Sequence, residues 1–254
     1  MIKPKLRMDR NRVPILSGNE IDEWGESFVR DFCPEAMCEP TSLDVDRFVC
    51  EYLGMTQDFA WLSNDGRYLG MTVFNDTGRV IVYEPEHDTA EYRKAKAGTV
   101  IIDNALLEKN KENRYRFTMG HEGAHAIFHT EHFAYDPNQL CFLDDIPEPM
   151  VQCRVDSTAT LRKKDQKLWT PNDRMEWQAN KMASAMLMPR SMVYKLFRSL
   201  PQMEGGLGFT VMAILQVADA FNVSNEAAQY RLLDFGLINC RTNVQTILDY
   251  ADGL

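Results

Sequence analysis

His121-Glu122-Gly123-Ala124-His125 is the stretch on which the reading of this chain turns. A step of four residues along an α-helix is a rotation of about 400°, so His121 and His125 stack on one face. Two imidazoles on one face can bind a single divalent metal. Glu122 is then the neighbouring carboxylate that takes a proton from metal-held water. Tyr115, Phe117, Met119, Ala124, Ala126, Ile127 and Phe128 supply apolar bulk for such a helix, and Thr118 is its expected N-cap. Gly120 and Gly123 each cost about 1 kcal/mol of helix propensity relative to Ala. What they provide is room for another backbone or a substrate. H-E-x-x-H also arises by chance on charged surface helices, so the deciding question is a third ligand. A catalytic zinc needs three protein ligands and one open position.

A second segment, Asp173 to Pro189, supplies a candidate. An Asn172 or Asp173 start, alanines and methionines throughout and a stop at Pro189 predict a strong helix. Glu176 lies one turn in, with Asn180 four residues on and so on the same face. Ala179, Ala183 and Leu187 continue a stripe of small and apolar groups that lets this helix pack closely on another. A carboxylate on such a face can meet the His121/His125 helix, and Asn180 can accept from the second ring nitrogen of a ligand histidine. Glu176 also reads as a solvated acid favoured at a helix start. Among other ligands, His129 continues the four-residue series. Eight positions from His121, however, its face has rotated by about 80°, so the three cannot all aim at one metal. His132 is a further rival, and His87 lies in a solvated acidic turn, Glu84 to Asp88.

Arg116-Phe117-Thr118-Met119-Gly120 leading into the H-E-x-x-H pentapeptide, then Glu176-Trp177-Gln178-Ala179-Asn180 and Leu187-Met188-Pro189, resembles the ImmA/IrrE family of metallopeptidases, from about residue 41 to 236. The resemblance implies a gluzincin-type site: one zinc (manganese is the alternative) on His121, His125 and Glu176, with Glu122 as general base. It also implies a regulatory role, in which members cleave helix-turn-helix (XRE-like) repressors of mobile elements or stress genes. The step of 51 positions from His125 to Glu176 is longer than in compact members, the extra length falling in 131–170.

The expected fold class is α+β: a zincin-like metallopeptidase domain with a helical C-terminal segment. In that domain a small twisted antiparallel or mixed sheet packs on the H-E-x-x-H helix and on a second ligand-bearing helix. The chain of 254 residues divides into an N-terminal arm and helix (1–40), the metallopeptidase domain (41–204) and a C-terminal extension (205–254). Within the arm, residues 1–19 are basic and aperiodic and read as loosely held. Helices follow at Glu20–Phe32 and 41–53, the second stopped by Gly54. Asp58–Leu62, Tyr68–Phe74 and Arg79–Tyr83, separated by turn chemistry, predict an antiparallel meander. Residues 98–103 form a further strand, an ordinary core strand, the edge on which an extended peptide docks, or both. Residues 131–170 form a long excursion with a short strand at 151–155.

In the last segment, Val211–Phe221, a turn at Asn222-Val223-Ser224 and Asn225–Leu233 outline a helix-turn-helix. DNA binding is disfavoured there. From 207 onward the basic residues are Arg231 and Arg241 against Asp219, Glu226, Asp234, Asp249 and Asp252, and the whole chain carries a net charge of −9. Packing or substrate recognition is the better reading. No apolar run approaches 18 residues, and the basic start is followed by more charge, so a cytoplasmic protein without a membrane span is expected. The six cysteines include no C-x-x-C pair, which favours free thiols over disulfides or metal ligation. Candidate oxyanion donors are Tyr115, Arg116 and Tyr135. Two other classes remain open: a non-hydrolytic module that sequesters a repressor, and a DNA-binding regulator.

Overall fold

The computed structural model describes residues 1–134, 150–154 (backbone only), 166–201, 206–239 and 241–244. Tyr135 and most of the expected 131–170 excursion lie outside them. Helical segments come first, then a run of strands, then mostly helices. Helix α1 (Gly18–Phe32) starts on a capping box in which Ser17 and Glu20 bond reciprocally. The expected helix at 41–53 is a single α-turn, α2 (Val45–Arg47), capped by Asp44 and running on into a π-helical turn, Phe48–Tyr52. Val45, Phe48 and Val49 face the core, and Gly54, at φ +72°, ends the run.

Among the described residues the strands are β1 (Thr56–Ala60), β2 (Tyr68–Val73), β3 (Thr77–Glu84), β4 (Thr89–Ala95), β5 (Thr99–Asp103) and β6 (Met150–Arg154). They do not form the expected meander. The main sheet has the order β1-β5-β2-β6, with β1 parallel to β5 and the other pairs antiparallel. Strand β5, Thr-Val-Ile-Ile-Asp, is buried along its whole length and paired on both sides, as an unbroken apolar run favours. It is therefore a core strand, and the alternative reading of it as a peptide-docking edge is overturned. Strand β3 pairs instead with β4 in a separate hairpin, fixed to the sheet by Tyr83 N donating to Trp61 O and by Arg93 reaching Asp58. Strand β4 escaped prediction because this ribbon is exposed on most of its surface. Backbone pairing alone makes it a strand, and its side chains stay polar.

The sheet's two faces divide by the period of two. Gly70 and Thr72 of β2, with Val100 and Ile102 of β5, face the helices. Met71, Val73 and Ile101 face Val80 of the hairpin in a smaller cluster. On the helical side lies α3 (Glu112–Phe128), followed by the single turn α4 (Thr130–Phe133). Helix α3 begins six residues before Thr118, which is not its N-cap. Thr118 sits in the interior and its Oγ1 donates to Arg114 O instead.

Helix α5 (Pro171–Leu187) starts earlier than expected, because Thr170 caps it in a box with Asp173 and Pro171 occupies the first turn. It lies between α1 and α3. A Cβ on Gly25 would stand 2.6 Å from Ala185 Cβ, and one on Gly120 3.5 Å from Ala183 Cβ. Gly120 of α3 thus meets the small-residue stripe of α5, and Gly25 of α1 meets Ala185 on its other face. Gly123 faces Val49 and Leu53 of the π-turn segment, where a Cβ would approach to 3.0 Å.

Helix α6 (Arg190–Ser199) follows, and α7 (Leu207–Phe221) and α8 (Asn225–Asp234) form the helix-turn-helix outline. The turn residue Asn222 adopts φ +49°, its carbonyl accepts from Arg116 Nε, and its amide donates to Glu112. The turn is thereby docked on the start of α3. The N-terminal arm is not loosely held. Val13 is buried with Phe133 and Met175, Asp9 pairs with Arg174, and a Met8–Pro14 bridge closes the loop between. Cys33, Cys38 and Cys50 are free thiols. Among the described residues, no single helix is long and apolar enough to cross a membrane.

Candidate metal centre

Helices α3 and α5 bring His121, His125 and Glu176 together. One ligand atom from each lies within 4.8 Å of the others. The two Nε2 atoms are 3.0 Å apart, His125 Nε2 is 3.3 Å from Glu176 Oε1, and His121 Nε2 is 3.6 Å from Glu176 Oε2. Both rings are fully buried, and Glu176 nearly so. Burial pushes His121 down to about 4, against the opposing pull of Glu176, and His125 down to about 3. Near neutral pH the two imidazoles are thus uncharged, and each can present an electron pair toward the Glu176 carboxyl. Such a donor set, two imidazole nitrogens and one carboxylate, fits a divalent cation.

Around the cluster, the second ring nitrogen of each histidine is engaged. His121 Nδ1 lies 3.0 Å from Asn180 Oδ1, and His125 Nδ1 lies 2.9 Å from His129 Nδ1. His129 is not drawn into the ligand cluster. It stands behind His125 with its Nε2 at 2.9 Å from Gln178 Oε1. His132 turns outward, its Nδ1 on Asn11 O.

Glu122 is wholly buried between α3 and β2. Thr72 Oγ1 donates to its Oε2 at 2.6 Å, while among the described residues Oε1 has no hydrogen-bond partner. Desolvation raises its carboxyl well above the usual range. The Thr72 bond pulls it back, and the Glu176 charge adds to the rise. Gly70 makes room for this carboxylate, since a Cβ there would lie 2.7 Å from both Glu122 Oε1 and Thr118 Cγ2. Neither Gly70 nor Thr72 was legible beforehand, because nothing in the sequence says which strand lies across the metal helix.

Two candidate oxyanion donors are committed elsewhere. Arg116 is buried, giving its Nε to Asn222 O and Nη2 to Leu43 O. The Tyr115 hydroxyl bonds to Asp46 and Gln57, and burial pushes its pKa up.

Residues 156–233 match the family model Peptidase_M78, described as the IrrE N-terminal-like domain. That match supports a peptidase of the ImmA/IrrE type. This family suggests a peptidase-type function, acting on a protein substrate. The matched stretch holds Glu176, Gln178 and Asn180 and runs into α8. It begins after His121 and His125, which the packing of α3 on α5 delivers to it. No curated protein is significantly similar to the chain.

Gly70→Ala tests the fit of β2 against Glu122. Thr118 is β-branched and held in a helix, so the carboxylate must yield to the new methyl. Hydrolysis is expected to fall about 100-fold, the cost of a displacement near 1 Å at a reacting group. Zinc content, measured by elemental analysis, should stay unchanged. Full activity in the variant would place Glu122 away from the chemistry.

Proposed function

We propose that the chain is a zinc-dependent endopeptidase that cleaves a helix-turn-helix transcriptional repressor. The observation that carries the metal half of this reading is the buried His121/His125/Glu176 cluster with Glu122 against it. His121, His125 and Glu176 would hold the cation. When bound, the cation supplies Lewis acidity and brings the pKa of a water toward about 7. Glu122 would be the group that accepts a proton from the attacking water and returns it to the leaving amine. Thr72 Oγ1 occupies one carboxylate oxygen and leaves the other to move the proton. Among the described residues, β6 is the sheet edge next to β2, so an extended peptide adding to this sheet beside Glu122 would pair there. The repressor assignment rests on the family alone.

A sequestering module without hydrolysis is the second reading, and the position of Glu122 disfavours it. A site that only holds metal for structure has no use for a carboxyl buried at the cost of its own charge. DNA binding loses its main support. Arg231, one of two cations in the C-terminal segment, is fully buried against Asp22, and the helix-turn-helix turn is occupied by Arg116 and Glu112.

The test is metal removal. Purified protein is expected to carry one zinc per chain. Dialysis against a strong chelator should stop cleavage of a helix-turn-helix repressor from the native host, and added zinc should restore it. A repressor that is bound but left intact by zinc-loaded protein would favour the sequestering module.

A further inference from the structure

His129 is a buried histidine that the proposed hydrolysis does not use, and its two ring nitrogens have two defined neighbours. The line of contacts begins at the N-terminal arm. The Pro14 carbonyl can only accept, so Gln178 Nε2, 2.6 Å away, donates to it. That fixes the Gln178 amide with Oε1 toward His129 Nε2, at 2.9 Å. An amide oxygen can only accept, so His129 carries its hydrogen on Nε2. From the other end, His125 Nε2 faces His121 Nε2 and Glu176 Oε1. To present an electron pair there, His125 must carry its hydrogen on Nδ1. Between the two ends, His125 Nδ1 and His129 Nδ1 lie 2.9 Å apart, one now a donor and the other an acceptor. The two derivations meet with one hydrogen for each link and none in excess.

We propose that His129 is a positioning residue of the metal centre. A one-way relay, His125 to His129 to Gln178 to Pro14, holds His125 in the tautomer and orientation that ligation requires. The proposal rests on the metal reading above. It makes the arm part of the site, since Pro14 is presented by the loop whose Asp9 and Val13 also grip Arg174 and Met175 of α5. Glu176 sits among these gripped residues, so the same loop sets the stance of both ligand helices. His121 has the shorter equivalent, ending directly on Asn180. The members of the longer relay, His125, His129 and Gln178, are completely buried. No water is needed to complete it.

The experiment is a zinc titration of the full chain against a chromophoric chelator. His129→Phe keeps the ring volume and removes the acceptor, and it is expected to weaken zinc about 10- to 100-fold, the usual effect of losing a ligand's outer partner. His129→Asn places an amide oxygen where Nδ1 stood and is expected to recover most of that loss, which a purely space-filling role would not allow. Equal zinc affinity in His129→Phe and the wild type overturns the proposal, and so does a His129→Asn variant no better than Phe.

Should His129→Phe fail to fold, ¹⁵N-histidine spectra of zinc-loaded wild type decide. His125 protonated at Nδ1 and His129 at Nε2 support the relay, and His129 protonated at Nδ1 overturns it. Failure of the wild type itself to bind zinc would bring down the proposed function, and this inference with it. Failure in the variants alone leaves the proposed function standing.

Discussion

Glu122→Gln is expected to lower peptide hydrolysis by about 100- to 10,000-fold, the range for losing a positioned general base, while zinc stays bound. The amide has the carboxylate's shape, so Thr72 Oγ1 can still donate to it and Gly70 still leaves it room. His121, His125 and Glu176 keep all their contacts. What is lost is the ability to accept a proton. A variant that binds substrate without cutting also serves as bait. Glu122→Gln protein is incubated with native-host lysate, the retained proteins are identified by mass spectrometry, and wild type is then offered them. Cleavage of a retained repressor at one site by wild type, and not by the variant, is the expected result. Hydrolysis at the parental rate in Glu122→Gln would remove Glu122 from the mechanism.

The largest expected loss of stability comes far from the metal. Asp22→Ala should destabilise the fold by about 3–5 kcal/mol, the effect of breaking a buried ion pair from one side. Asp22 Oδ1 accepts from Arg231 Nη1 at 2.6 Å, and Arg231 is completely buried. The guanidinium also donates to Met188 O through Nε and Nη2 and lies over the Phe235 ring at 4.4 Å. Neither contact neutralises its charge. Adding Arg231→Met to Asp22→Ala should recover most of the loss, because an apolar side chain of similar length has no charge to bury. Urea denaturation of the two variants measures both effects. A loss of less than about 1 kcal/mol in Asp22→Ala, the size of an exposed pair, would mean that α8 is not anchored through Arg231.

The local pattern was most readable where the chemistry is periodic. The four-residue spacing of His121 and His125, and of Glu176 and Asn180, put each pair on one helix face whatever the rest of the chain did. The small-residue stripe Ala179-Ala183 signalled close helix packing, and Gly120 meets it. The turn between α7 and α8 was visible in Asn222-Val223-Ser224, because Asn tolerates φ +49° and Ser224 caps the following helix.

Reading failed where pairing is long-range. A strand's alternation says which residues share a face but not which strand lies beside it. So β5 came out as the second strand of the main sheet, between β1 and β2, and β4 was missed because an exposed ribbon imposes no apolar pattern. The arm at 1–19 looked loose because its anchors, Gln178, Arg174 and Phe133, lie more than a hundred residues away.

By itself, then, the sequence determined a metal-type helix, a second helix able to supply a carboxylate and an amide, and a C-terminal helical pair. Helical geometry is local, and one spacing is enough to read it. Only the tertiary structure decided that Gly70 and Thr72 house Glu122, that Arg116 serves the helix-turn-helix turn, and that His129 backs His125 rather than joining it. Each of these depends on which backbone passes within about 3 Å of a buried polar atom. That is a property of packing between distant segments, where a single methyl group or one misdirected hydrogen would close the site.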